Sequence, residues 1–249
     1  MMNKYFPLAV IIILSVIGCD AKQRKVHQAP PSKIATTSVE VIGGLKRWEQ
    51  IGLIRATAVV TIYDETGRGI INEQHQVIDI HRNIIRASAT LPHGQWSATV
   101  TADGEASINT THLTFTKDER KRLIRSLMII LHRVQGPLNF SIHNEKAGKP
   151  TNVVVAGKEF IRLPIIGSSD IKAYYFNPQT YVLEMITAGA DKPAGKGTVT
   201  LYRWKLLPNG LAFPSQISVV KIGSETLLGN TPVLEVNYLN VQTEKRQSK

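Results

Sequence analysis

Apolar and polar residues alternate along much of the chain after residue 50, and this period of two is typical of strands with one buried face. Residues 54–62 show the alternation most regularly. Every second residue there is apolar, and these residues are predicted to face the interior: Ile54, Ala56, Ala58, Val60 and Ile62. Further strands are predicted at 70–81, 83–91, 95–102, 152–164, 171–177, 181–188, 197–207, 212–222 and 233–243. Turn residues between them indicate a meander of antiparallel strands.

Residues 117–133 have the period of an amphipathic helix instead. Thr116 and Glu119 have the spacing of a capping box at its start. Basic side chains cover one side, and the apolar side includes Leu123, Leu127, Met128 and Leu131. Three interpretations are open: a helix packed on the sheet with its basic face in solvent, a lid whose four apolar residues cover a cavity, or a helix on a membrane surface. A shorter helix is predicted at 38–50.

Near the start of the sequence, Lys4 precedes an apolar run over residues 5–17. This run has the length of a signal-peptide core and is too short to span a membrane. The run ends in Val-Ile-Gly-Cys, and Cys19 is the only cysteine of the sequence. These residues resemble the lipobox of bacterial lipoproteins, which implies cleavage before Cys19 and its acylation. Residues 1–18 are therefore predicted to be a lipoprotein signal peptide, and residues 19–37 a lipidated, basic and disordered tether. The alternative is an ordinary secretory signal, with Cys19 incidental.

A lipidated Cys19 implies a protein that is anchored to a membrane of the bacterial cell envelope and faces the periplasm. The net charge of +11 favours anionic partners. In the envelope the nearest anions are lipid headgroups, and nucleic acid is not an expected partner. The sequence contains no Gly-x-Ser-x-Gly, no His-Glu-x-x-His and no glycine-rich phosphate loop. No enzymatic activity, catalytic residue, metal site or cofactor is therefore predicted.

Three short motifs resemble a known group of envelope proteins. They are the segment at 43–51, Tyr-Phe-Asn-Pro-Gln-Thr-Tyr-Val-Leu at 175–183, and Leu-Pro-Asn-Gly-Leu-Ala-Phe-Pro at 207–214. The group is the periplasmic lipoprotein carriers and related lipoproteins, called LolA/LolB-like or LppX-like. This resemblance implies an α+β fold over residues 38–249. The fold would be a curved, incomplete antiparallel β-barrel with helices packed on its concave side around an apolar cavity for acyl chains.

The functional prediction is a membrane-anchored, non-catalytic envelope lipoprotein that binds an acyl chain, a lipid or a lipoprotein in this cavity. The predicted cavity residues are the five alternating residues of 54–62 together with Trp96, Met185 and Trp204. Because alternation shows a buried face but no void behind it, plain core packing of these residues is equally compatible with the pattern. The alternative function is a structural or interaction lipoprotein with a filled core and a protein or polysaccharide partner. A hydrolase with an unrecognised site is a third class.

Overall fold

The computed structural model describes residues 30–142, 146–167, 170–189, 197–223 and 227–246, except for the side chains of 141 and 142. The predicted signal peptide and Cys19 lie outside these residues. The helices are α1 (Pro31–Val41), α2 (Leu45–Glu49), α3 (Lys117–Gln135) and α4 (Asn139–Ile142), with a 3₁₀ turn at Gly136–Leu138. The strands are β1 (Ile51–Tyr63), β2 (Gly69–Asp79), β3 (Ile84–Leu91), β4 (Gly94–Thr101), β5 (Ala106–Thr111), β6 (Lys146–Ala147), β7 (Thr151–Val155), β8 (Lys158–Ile166), β9 (Ile171–Phe176), β10 (Leu183–Ala188), β11 (Thr198–Leu206), β12 (Ala212–Lys221) and β13 (Pro232–Lys245).

These strands form one large antiparallel sheet with the order β5-β4-β3-β2-β1-β13-β12-β11-β10-β9-β8-β6, and β7 also pairs with β8. Most strands pair with their neighbours in the chain. The exceptions are β13, which returns to lie between β1 and β12, and β6, which pairs with β8. Within the described residues the edge strands β5 and β6 do not pair with each other, so the sheet is open. The predicted antiparallel meander is confirmed.

Apolar side chains form two clusters, one on each face of the sheet. The larger cluster joins the inner face of the sheet to α1, α2 and α3, and Trp48, Leu127 and Phe213 are fully enclosed in it. The smaller cluster consists of Phe160, Ala173, Tyr175, Met185, Val199 and Ile222. Side chains of successive strand residues point to opposite faces. Since Tyr174 and Phe176 belong to the larger cluster, the smaller one lies on the other face.

Helix α3 begins with the predicted capping box. The Thr116 hydroxyl accepts a hydrogen bond from the Glu119 backbone N–H at 3.2 Å, and the Glu119 carboxylate accepts one from the Thr116 N–H at 2.8 Å. The helix contacts β1, β3, β4 and β12, and its buried apolar side chains are Leu123, Leu127, Ile130, Leu131 and Val134. It ends at Gln135, two residues later than predicted, where Gly136 has a φ of 45°. The amphipathic helix is confirmed.

The first helix differs from its prediction. Residues 31–37, predicted to be part of a disordered tether, are the first seven residues of α1. Pro31 fits this start, because the first turn of a helix needs no N–H from that residue. Three side chains of α1 and the following turn, Ile34, Val39 and Ile42, are buried in the larger cluster. The indole N–H of Trp48 donates to the Ile42 carbonyl at 3.0 Å, which fixes α2 against the end of α1.

Two strand predictions were incomplete. The single strand expected at 152–164 is a hairpin, because Ala156 and Gly157 both have positive φ and turn the chain back between β7 and β8. Strand β5 was not predicted, since its residues are polar and largely exposed and show no apolar alternation. None of the helices within the described ranges is long and apolar enough to cross a membrane.

Candidate functional site

A cavity of about 560 Å³ lies beside α3, on the side of the helix away from its packed face. We call it the α3 cavity. Its walls come from α3, from the ends of the strand pair β3–β4, and from the starts of β9 and β11. The lining residues are Asn83, Ala102, Arg125, Met128, Ile129, His132, Arg133, Asn139, Asp170, Ile171 and Thr198.

Four of the α3 residues that line this cavity form a stripe along the helix. Arg125, Met128, Ile129 and His132 follow the spacing i, i+3, i+4 and i+7, which places them on one side of a helix. At about 100° per residue the centre of this stripe lies roughly 110–150° around the helix from Leu131 and Leu127, the residues that pack on the sheet. Helix α3 therefore separates the apolar core from the cavity.

The cavity has an apolar part. Met128 and Ile129 are half-buried residues of α3 that pack at the margin of the larger cluster. Ala102 and Ile171 face them from the two ends of the sheet. Gly104 lies close to Met128, and a Cβ added at Gly104 would stand 3.6 Å from the Met128 sulfur. These side chains offer dispersion contacts and no hydrogen-bonding group.

The cavity also has a cationic part, centred on Arg133. This side chain is only 4% exposed. Its Nε donates to the Thr200 hydroxyl at 3.0 Å, and its backbone carbonyl accepts from the Tyr202 hydroxyl at 3.1 Å. Within the described part of the chain no carboxylate lies within 4.0 Å of the Arg133 guanidinium. Burial raises the pKa of the Tyr202 phenol, which therefore stays a neutral hydrogen-bond donor to that carbonyl.

Asn139 and Asp170 are further polar residues of the lining, besides Asn83 and Thr198. Asn139 is 3% exposed, and its amide nitrogen donates to the Tyr174 hydroxyl at 3.1 Å. The amide oxygen of Asn139 has no hydrogen-bond partner in the described structure. Asp170 is exposed at the other wall, where its backbone carbonyl accepts from the Gly189 N–H at 2.9 Å. Among the described residues, the lining thus combines Arg125 and Arg133 with the carboxylate of Asp170 and the imidazole of His132.

A second cavity, of about 590 Å³, lies on the turn between β11 and β12 and on β13. Two leucines at its wall are unusually exposed, Leu206 at 69% and Leu239 at 60%. Leu239 is the extra residue of a β-bulge, since Ala58 pairs with Tyr238 and Thr57 pairs with Asn240. A bulge leaves one residue outside the regular alternation.

Most of the predicted cavity residues are part of the packed core. Ile54, Ala56, Ala58, Val60 and Trp96 are buried in the larger cluster, and Ile62 and Trp204 pack against it. Trp204 also stacks on Tyr202 with ring centroids 5.5 Å apart. None of these seven residues lines either of the two cavities described here. Their role as ligand contacts remains a prediction.

Met185 lies apart from the other seven. It is buried in the smaller cluster, on the other face of the sheet. The reason is a register shift in β10 between Leu183 and Met185, which reverses the alternation so that Leu183 and Ile186 face the larger cluster instead.

The predicted lid residues divide between two environments. Leu123, Leu127 and Leu131 are buried in the larger cluster, where they pack on the sheet. Met128 alone among these four lines the α3 cavity. The helix therefore has a packed apolar face and a separate flank that faces the cavity.

Sequence reasoning missed Arg133 and Asn139 as site residues. It placed Arg133 on the solvated basic face of the helix, whereas the side chain is buried against β11. One feature of the sequence could have indicated the burial of Arg133. This residue lies at the margin between the apolar and basic sides of the helix, in its last turn before Gly136. Asn139 follows the 3₁₀ turn and carried no pattern of its own.

Comparisons with known proteins add the following. No family model matches this chain, and no curated protein does. Among solved structures it is similar to a LolA superfamily protein from Nitrosomonas europaea, with 10% identity and a TM-score of 0.48 over 88% of this chain and 96% of that one. It is also similar to MucB in complex with the MucA periplasmic region, with 9% identity and a TM-score of 0.26. A MucA/MucB complex from Pseudomonas aeruginosa shows 10% identity and a TM-score of 0.27.

The chain spans 58% and 59% of the length of the two MucB-containing matches. The first structure belongs to the superfamily that the sequence motifs resemble. At identities of 10% and 9%, these similarities give no information about the function of this chain.

Proposed function

We propose that this chain is a non-catalytic binding protein of the bacterial envelope that holds the apolar part of a lipid or of an acylated protein in the α3 cavity. The observation that carries the proposal is the cavity itself, with its apolar contacts from Met128, Ile129 and Ile171. Its volume of about 560 Å³ lies in the range of small-molecule sites, roughly 300–1,000 Å³. Such a wall retains a ligand through buried apolar area, at about 25 cal/mol per Å².

We infer in addition that the sheet is curved, with α3 on its concave side. Gln135 donates to the Asn83 side chain at 2.6 Å, next to β3, and Arg133 donates to Thr200 in β11. Strands β3 and β11 are five positions apart in the sheet, or about 24 Å if the sheet were flat. Two residues of one helical turn reach both, which supports a sheet that bends around the end of α3. Such a bend would agree with the half-barrel expected from the sequence motifs.

An anchor at Cys19 would hold this cavity beside a bilayer. Helix α1 begins at Pro31, so about a dozen residues would separate the acylated cysteine from the folded part. They include Lys22, Arg24 and Lys25, and each basic residue near an anionic surface adds about 1 kcal/mol of attraction. Ligand and membrane would then lie within reach of each other on the periplasmic side.

The test is binding of an uncharged fluorescent probe, N-phenylnaphthylamine, by the full chain with Cys19→Ser, which carries no acyl chain of its own that could compete for the cavity. Met128→Trp would fill the cavity, and we expect it to abolish most of the binding. Val154→Trp introduces the same bulk at an exposed position of β7 and should leave binding unchanged. Equal binding by both variants, or none by the parent chain, would remove the basis of the proposal.

A structural or interaction lipoprotein is the second candidate function, and one observation favours it. Most of the predicted cavity residues are packed in a filled core, and large enclosed side chains such as Trp48, Tyr174 and Phe213 occupy the interior. In this case the exposed Leu206 and Leu239 would contact a partner. Failure of the parent chain to bind the probe, with an intact fold, would favour this second function.

A further inference from the structure

We propose that Arg133 binds an oxyanion, a carboxylate or a phosphate, carried by the ligand of the α3 cavity. The inference rests on the proposed function and adds the chemical class of the ligand: an apolar chain with an anionic end. Four observations lead to it, namely the burial of Arg133, the orientation of its guanidinium, the charges of the cavity, and the position of the apolar wall.

The burial of Arg133 calls for a counter-charge. An arginine side chain remains protonated in proteins, and a buried charge is costly unless it is paired. No carboxylate of the described residues lies within 4.0 Å of this guanidinium. The C-terminal end of α3 supplies a partial negative charge, but only about half of an elementary charge. Among the described residues the guanidinium therefore has no full counter-charge, and an anion would supply it.

The guanidinium is also held in place. Its Nε is occupied by the Thr200 hydroxyl at 3.0 Å, and the adjacent backbone carbonyl is held by Tyr202. The two Nη nitrogens make no hydrogen bond within the described part of the chain, and they are not among its fully enclosed polar atoms. They therefore remain accessible in the wall of the cavity that Arg133 lines. Two such donors on one planar group match a carboxylate or a phosphate bidentately.

The surrounding charges favour an anion. Arg125 lies two turns before Arg133 in α3, and both line the cavity together with His132. Among the described lining residues the carboxylate is that of Asp170, which is exposed and more than 4.0 Å from the guanidinium. The apolar residues Met128 and Ile129 lie one turn before Arg133. A ligand with its anionic group at Arg133 would place its chain along these two side chains.

The experiment measures competition for N-phenylnaphthylamine by dodecanoate, by dodecanol and by inorganic phosphate, on the full chain with Cys19→Ser. The two lipids share one chain and differ in charge. We expect dodecanoate to bind about tenfold to hundredfold more tightly than dodecanol, as hydrogen bonds to a charged group imply. Arg133→Gln should abolish this preference and keep the affinity for dodecanol. Arg203→Gln removes the same charge at an exposed position of β11 and should keep the preference.

A second pair of variants tests whether Arg133 binds the anion or only stabilises the fold. Thr200→Val keeps the charge of Arg133 and removes the hydroxyl that orients it, and Arg133→Lys keeps the charge without the planar fork. Both should lower the preference for dodecanoate to an intermediate value. Competition by inorganic phosphate against dodecanoate alone would also support the inference and identify the oxyanion as sufficient. A preference that persists in Arg133→Gln, or in both Thr200→Val and Arg133→Lys, would overturn it.

The outcomes distinguish this inference from the proposed function. Equal binding of dodecanoate and dodecanol by the parent chain would overturn the anion site and leave the apolar cavity standing. Binding of neither lipid would overturn both.

Discussion

Leu127 and Met128 are adjacent in α3, about 100° apart around the helix axis, and have different surroundings, so they test whether the helix is a fixed part of the core. Leu127 is fully buried between α3 and the sheet, whereas Met128 is half-buried and lines the α3 cavity. We expect Leu127→Ala to cost about 2–5 kcal/mol of the free energy of unfolding, the range for a buried leucine that leaves a cavity. Met128→Ala removes a side chain that is already next to a cavity, and about 1 kcal/mol is expected.

The assay is urea unfolding followed by tryptophan fluorescence, since Trp48 and Trp96 are both buried in the cluster that contains Leu127. In thermal unfolding, 1 kcal/mol shifts the Tm of a domain of this size by about 2–4 °C. Leu127→Ala should therefore lower the Tm by roughly 4–20 °C, and Met128→Ala by only a few degrees. The order should reverse for probe binding, which Met128→Ala changes and Leu127→Ala leaves intact at temperatures where it is folded.

A cost below about 1 kcal/mol for Leu127→Ala would contradict this reasoning. It would mean that α3 is not held on the sheet by its apolar face and that the lid interpretation is the better one. Equal costs for the two variants would show that the cavity flank is packed as tightly as the core face.

Further predictions concern the helix cap, two glycines and the anchor. Thr116→Ala should lower the free energy of unfolding by about 1 kcal/mol, and Thr116→Ser, as the control, should retain it. Hydrogen bonds from Thr116 lower the pKa of Glu119 below its ordinary 4.5. The contribution of this carboxylate to the free energy of unfolding is therefore complete above pH 4.5 and is lost as the pH falls through the lowered pKa. The difference between wild type and Glu119→Gln in urea unfolding should accordingly shrink between about pH 6 and pH 3. Gly94→Ala should destabilise more than Gly67→Ala in thermal unfolding, because a Cβ at Gly94 would stand 2.5 Å from the Thr111 carbonyl oxygen and one at Gly67 would meet nothing within 4 Å. Cys19→Ser should abolish incorporation of labelled palmitate, and persistent labelling would contradict the lipoprotein prediction.

Local patterns predicted those elements whose burial is set by a single period. In β1 the residues Ile54, Ala56, Ala58 and Val60 are buried as the alternation indicated, because the strand pairs regularly with β2 over this stretch. Helix α3 was recognised from its cap and its apolar stripe, since both are properties of the helix alone. Such elements can be predicted without knowing what packs against them across the core.

Bulges limited the prediction of the sheet. The register shift before Met185 and the extra residue Leu239 each reverse the alternation within a strand. A bulge depends on how two paired strands fit each other, so the composition of one strand does not reveal it. This is why Met185 was expected on the inner face and is found on the other.

Burial of Arg133 could not be predicted for a related reason. On the helix alone its position lies at the margin of the basic side, and a charged residue there is normally solvated. Its burial follows from the approach of β11, which supplies the Thr200 hydroxyl and the Tyr202 hydroxyl. In the chain these partners are 67 and 69 residues away from Arg133.

The energetics of α3 also bear on how a ligand enters. Lifting the helix as a lid would expose Leu127, Ile130 and Leu131, all fully buried, at about 1.5–3 kcal/mol each. The sum is comparable with the total stability of an ordinary domain, about 5–15 kcal/mol. Lifting would also break the hydrogen bonds that tie Gln135 and Arg133 to the two sides of the sheet. Under the proposed function, a ligand would therefore enter the α3 cavity past the exposed Arg125 and Asp170, along the flank of a helix that stays in place.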